Sequence, residues 1–174
     1  MRNGVFVVAE LAGALRERIA DIQREVDPKL ARSSPPHVTI IGSSGAGPIR
    51  FGTSADELRA AIAPVAADTP PIVVRFGAPL RFMQTEILVL PLDVHGPLRT
   101  LHERISASKL SFERARFAFY PHCTLNFYPR LTPERERRLL SLRIDDEFVI
   151  DRIQCYETRD PLPSRKALEL RLEG

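Results

Sequence analysis

The strings His37-Val38-Thr39-Ile40 and His122-Cys123-Thr124-Leu125 write one pattern, His-apolar-Thr-apolar, twice in the chain. A two-residue period fits an extended backbone, because alternate side chains of a strand point to opposite faces. His and Thr then share one face, while Val38 and Ile40, or Cys123 and Leu125, turn into a core. Each string sets a titratable imidazole beside a hydroxyl donor on a rigid strand. Two such strands facing each other give an acid–base pair with hydroxyls aimed between them, which suits a phosphate diester. With four His in the chain, two matches arise by chance in about one such sequence in a thousand.

The surroundings of the strings repeat as well. Gly4–Ala9 reads as a strand with a buried apolar run. Leu15, Ile19, Ile22 and Val26 then follow at helical spacing within Leu11–Val26, and Asp27-Pro28 stops the helix. Pro35-Pro36 leads into the first motif strand. The Gly-rich stretch Gly42–Gly52 is a loop, closed by the capping box Ser54-Ala55-Asp56-Glu57. A helix bearing Leu58, Ala61, Ile62 and Val65 and a strand over Ile72–Phe76 complete the first half. The second half offers a strand over Glu86–Asp93, a turn at His95-Gly96-Pro97, and a helix with Leu98, Leu101 and Ile105 on one stripe. The second motif then lies in a strand over Phe117–Phe127. Thr132 and Pro133 open a short helix through Leu139 and Leu140, and strands over Glu147–Tyr156 and Ala167–Leu172 follow. Each half thus reads strand–helix–motif strand–helix–strand. Packing the halves about a pseudo-two-fold axis would bring both motifs to one central groove.

The 174 residues are enough for one domain of two similar lobes. No apolar run reaches the length of a membrane span, and the run Gly4–Ala9 is interrupted by Glu10 too early for a signal segment, so a cytoplasmic protein is expected. Cys123 and Cys155 form no disulfide framework and have no metal-ligand spacing. Of the 25 basic residues 22 are Arg, the better planar partner for phosphate, although Arg-rich usage also follows genome composition. A net charge of only +3 argues against wholesale coating of nucleic acid.

Pro36-His37-Val38-Thr39-Ile40 and Pro121-His122-Cys123-Thr124-Leu125 resemble the paired signatures of the two-histidine (2H) phosphoesterase superfamily, and within it the 2′-5′ RNA ligase-like and cyclic phosphodiesterase proteins. The likeness covers most of the chain. It implies an α+β fold, a bilobal pseudo-two-fold duplication with two antiparallel sheets lining a central cleft and helices outside. It also implies metal-independent chemistry on 2′,3′-cyclic phosphates or 2′-5′ linkages of nucleotides or RNA ends. By position, His37 and His122 would be catalytic, and Thr39 and Thr124 would bind phosphate. Many relatives carry a basic residue soon after the second Thr; here the first is Arg130.

Opening a cyclic phosphate needs a base for the attacking water and an acid for the leaving ribose oxygen, and imidazole suits both roles near neutrality. The roles exchange if the reaction runs toward ligation, so sequence does not say which His is the base. Tyr128 and Arg130, just past the second motif, are candidate substrate contacts, by stacking and by reaching phosphate; Arg81 and Phe82 are a weaker version of the same idea. The bland reading of such a pair is a packed aromatic beside a solvated Arg. A single His on a strand is most often structural; the matched pair is not so easily dismissed. No metal is expected, because each motif offers one ligand and His95 and His102 add no spaced partner. His95 reads as a turn residue and His102 as the edge of a helical stripe. The expected partner is a nucleotide or an RNA with a cyclic phosphate terminus, no cofactor is implied, and a monomer is expected. The rival reading is a non-catalytic module that holds a nucleotide or RNA in the same groove; a third is a scaffold whose histidines are inert.

Overall fold

The computed structural model describes residues 3–159, 162 and 164–174. The first half forms strand β1 (Gly4–Glu10), helices α1 (Gly13–Val26) and α2 (Pro28–Ser33), strand β2 (His37–Ile41), helix α3 (Ala55–Ala67) and strand β3 (Ile72–Arg75). A two-residue strand, β4 (Leu80–Arg81), leads into the second half: β5 (Leu88–Pro91), α4 (Pro97–Ser106), β6 (His122–Asn126), α5 (Pro133–Leu140) and β7 (Glu147–Ile150). Strands β8 (Arg152–Thr158) and β9 (Arg165–Arg171) follow.

Local chemistry sets the boundaries. Ser54 and Glu57 exchange the two bonds of a capping box at the start of α3. Thr132 caps α5, with Pro133 in the first turn, where its missing N–H costs nothing. Asp27 ends α1 as expected, but the chain does not leave helix there. Pro28 starts α2 at once, and the Asp27 side chain accepts from the N–H of Leu30 as its cap.

Seven strands join in one antiparallel sheet of order β4-β5-β6-β2-β1-β8-β9, and β3 pairs with β7 in a second, small sheet. The α+β class, the antiparallel pairing and the duplication are those expected. The strands of the two lobes run edge to edge, because β2 and β6 meet at the pair Val38–Cys123. The equivalent strands β3 and β7 likewise pair with each other, as a two-fold relation requires.

The duplication extends to register. Against β2, Glu10 faces His37, and the register shifts between Val7 and Val8. Against β6, Pro91 faces His122, and the register shifts between Leu88 and Val89. The N–H of Leu11 donates to Pro36 O and that of Leu92 to Pro121 O, both at 2.9 Å. Such bulges re-aim side chains near functional surfaces.

The apolar face of the motif strands is sealed. Val38, Cys123 and Leu125 are fully buried and Ile40 nearly so. The helices that cover this face cross between lobes: α1 packs under β6 and α4 under β2. Gln23 on α1 donates to Thr124 O at 2.7 Å, and His102 on α4 donates from Nδ1 to Ile40 O at 2.7 Å. His102 is therefore a buried core residue, stacked on Phe119, rather than the rim of a stripe. Gly45 makes room for it: at φ +74° it lies so close that a Cβ would overlap the imidazole. His95 is the turn residue expected, its N–H bonded to Asp93.

Two strands are shorter than the apolar pattern suggests. Only His122–Asn126 of the expected Phe117–Phe127 run is strand, because residues 112–117 bond instead to the loop after β2: Glu113 N to Pro48 O, Arg116 N to Ser43 O and Phe117 O from Gly45 N. The run Glu147–Tyr156 is two strands in different sheets, broken at Asp151. No helix among the described residues is long and apolar enough to cross a membrane.

Candidate active site

The register at the joint decides which groups meet. With Val38 opposite Cys123 in antiparallel strands, His37 faces Thr124 and Thr39 faces His122. All four side chains lie on the face opposite the core, each half-buried. The two imidazoles are then diagonal neighbours, a relation that spaces residues by about 7–8 Å and their Cβ atoms by somewhat less. That is room for a phosphoryl group between them. His37 and His122 are near enough that the charge of one disfavours protonation of the other.

Each ring is oriented by its own backbone. Nδ1 of His37 lies 2.7 Å from Pro35 O, and Nδ1 of His122 lies 2.6 Å from Tyr120 O. A carbonyl can only accept, so Nδ1 carries a proton in both rings. Nε2 is left as the working nitrogen: an acceptor when the ring is neutral, a donor when it is charged. Burial holds both imidazoles below their ordinary value, and the carbonyl bonds oppose this; Glu10 opposes it further at His37, while the charge of His37 adds to the lowering at His122.

Among the described residues, neither the Thr39 nor the Thr124 hydroxyl has a hydrogen-bond partner. The Thr39 methyl packs over Gly42, where a Cβ would come within 2.5 Å of Cγ2. Phe82, on the turn after β4, meets the His122 ring edge-on with centroids 5.0 Å apart. It therefore lies in the site, in contact with a histidine.

Tyr128 and Arg130 sit differently. His122 begins β6, whereas these two lie beyond its far end. The Asp27 carboxylate, fully buried, accepts from the N–H groups of Phe127 and Tyr128, each at 2.8 Å, and so fixes the turn. The ammonium of Lys29 lies 4.0 Å over the Tyr128 ring, and Arg130 is exposed, 3.9 Å from Glu86. They flank the Thr124 end of the face and stand outside the square of imidazoles and hydroxyls.

Sequence reasoning passed over a polar cluster on the other flank. Glu10, opposite His37, accepts from the Tyr156 hydroxyl at 2.6 Å and from Lys166 at 3.1 Å. Lys166 also binds Glu169 at 3.0 Å, and the N–H of Glu10 donates to Gln154 at 3.1 Å. Burial and the bond to Glu10 push the Tyr156 phenol up to about 12. Burial disfavours the Lys166 ammonium, but its bonds to Glu169 and Glu10 outweigh that and raise it. The only signal in the sequence was an acidic residue ending an apolar strand.

Cys123 is a core group whose thiol burial pushes up to about 12, far from a thiolate at neutral pH. No three His, Cys, Asp or Glu side chains gather into a metal-binding group among the described residues. A separate open groove of about 760 Å³, lined in part by Arg50, Phe51, Lys109 and Ser111, shares no residue with either motif. No histidine lines it, and its one carboxylate, Glu57, is engaged in the cap of α3, so its size does not make it the chemical centre.

A family model described as 2′-5′ RNA ligase superfamily matches residues 11–161. Crystal structures share the fold at low identity. TT0787 of Thermus thermophilus matches with TM-score 0.62 and 14% identity, covering 98% of both chains. E. coli LigT in apo form matches with TM-score 0.58 and 15% identity, covering 99% of this chain and 98% of that one. LigT complexed with 3′-AMP gives TM-score 0.55 and 14% identity, with the same coverage. No curated protein sequence matches the chain closely.

Proposed function

This chain belongs to the 2′-5′ RNA ligase superfamily, and from that premise we propose that it is a two-histidine phosphodiesterase that opens 2′,3′-cyclic phosphates, or cuts 2′-5′ linkages, on nucleotides or RNA ends. The observation that carries this reading is the register at Val38–Cys123, which sets two imidazoles diagonally across from each other beside two hydroxyls that have no hydrogen-bond partner among the described residues. The LigT complex with 3′-AMP supports a nucleotide as the ligand class.

In the reaction, Nε2 of one neutral histidine takes a proton from water as its oxygen attacks phosphorus. Nε2 of the other, charged histidine gives a proton to the ribose oxygen as the P–O bond to it breaks. Thr39 and Thr124 donate to the nonbridging oxygens, on which charge builds. Tyr128 and Arg130 contact the part of the substrate beyond the phosphate at the Thr124 end. No step is routed through a metal or cofactor, and the active form is a cytoplasmic monomer.

The test is hydrolysis of a 2′,3′-cyclic nucleotide in the presence of EDTA. His37→Ala and His122→Ala are each expected to lower kcat by about 10²–10⁴-fold while the protein stays folded. Wild-type turnover in both variants would overturn the proposal. Nucleotide binding by the wild type without turnover of any cyclic phosphate would favour the binding-module reading.

A further inference from the structure

Around the motifs the two halves share their hydrogen bonding, burial and register, but not the charge of the residues that face the histidines. Both histidines bond through Nδ1 to the carbonyl two residues before, both motif strands share one burial pattern, and both partner strands bulge at the equivalent place. The residues directly opposite the histidines differ: Glu10 faces His37, and Pro91 faces His122. A carboxylate on one side is matched by a group without charge on the other. His122 is bordered instead by the edge of Phe82 and by Tyr120, with ring centroids at 5.0 and 6.3 Å.

Glu10 is also held in place. Its carboxylate accepts from Tyr156 at 2.6 Å and Lys166 at 3.1 Å, and its backbone is pinned through Gln154. Resting on the acid–base reading above, we propose that Glu10, clamped by Tyr156 and Lys166, is a positioning residue that favours the imidazolium form of His37 and so makes His37 the proton donor and His122 the acceptor in the hydrolytic direction. Lys166 is the counterweight, since its ammonium offsets part of the Glu10 charge and is itself shared with Glu169.

Among the described residues, the charged and titratable groups around His37 are Glu10 on β1, His122 on β6 and, through Glu10, Tyr156 on β8 and Lys166 and Glu169 on β9. The direction of the effect agrees with geometry: Glu10 raises His37 against the larger lowering by burial, whereas His122 has no carboxylate acting on it among the described residues.

The pair gives opposite signs to two substitutions. Glu10→Gln removes the anion and is expected to lower the His37 titration midpoint; Lys166→Met removes the cation and is expected to raise it. The double variant is expected to return it toward wild type. His122 should move less in each case. The readout is NMR titration of the imidazole Cε1–H signals, which needs no substrate and reports folding in the same spectra. Alongside it, the limb of the pH–kcat profile that belongs to the acid should move with His37, with a several-fold loss for Glu10→Gln at the alkaline side.

A His37 midpoint that stays fixed in both single variants, or moves the same way in both, would overturn the proposal. If the midpoints move as expected but the wild type hydrolyses no cyclic phosphate, the electrostatic coupling stands and the acid–base assignment falls with the hydrolytic reading.

Discussion

At the scale of single residues, the unpartnered threonine hydroxyls carry a sharp expectation. Thr39→Val and Thr124→Val remove a donor but leave every internal bond in place, so each should cost about 10²-fold in kcat with little change in melting temperature. Equal losses in rate and stability would mark the threonines as structural. Asp27 gives the opposite expectation. It is buried and accepts from Leu30, Phe127 and Tyr128. Asp27→Ala would strand three partly buried donors and destabilise the fold by roughly 2–4 kcal/mol, measured by urea unfolding. The histidines and threonines were legible in the sequence because period-two alternation fixes which side chains share a face. Asp27 read only as a helix stop, since its other partners lie 100 residues away along the chain. Glu10 was missed for a related reason: its meaning is the residue across from it, and pairing partners are not written in local pattern.

At the scale of elements, helix ends were the most readable features, because their signals are chemical and local. Ser54 and Glu57 make the capping box that their spacing implies, and Ser54→Ala should cost about 1 kcal/mol; no change in chemical denaturation midpoint would contradict that. Strand lengths were less readable. Apolar alternation continues through Phe117–Phe119, yet Phe117 bonds to the loop after β2 rather than to the sheet. Where a strand finds its partner is a tertiary matter that propensity does not decide. The crossing of α1 and α4 beneath each other's motif strands was likewise invisible, although the duplicated order of elements was plain.

At the scale of the molecule, three imidazoles share one thermodynamic signature. Burial lowers His37, His102 and His122 below the ordinary value of 6.5. The unfolded chain therefore binds more protons than the folded one as pH falls below 6.5, and stability drops in that window. It should be fully present above 6.5 and decline before the carboxylates begin to titrate. A urea midpoint that stays level between neutrality and pH of about 5 would contradict this sign.

The single bridge at Val38–Cys123 has one more consequence. Because the backbone ladder is so sparse there, a phosphoryl group gripped by a threonine from each half would act as a rivet, supplying from outside what the main chain leaves out. Occupancy should therefore slow amide exchange along both motif strands at once, and product departure would be a loosening of the whole midline.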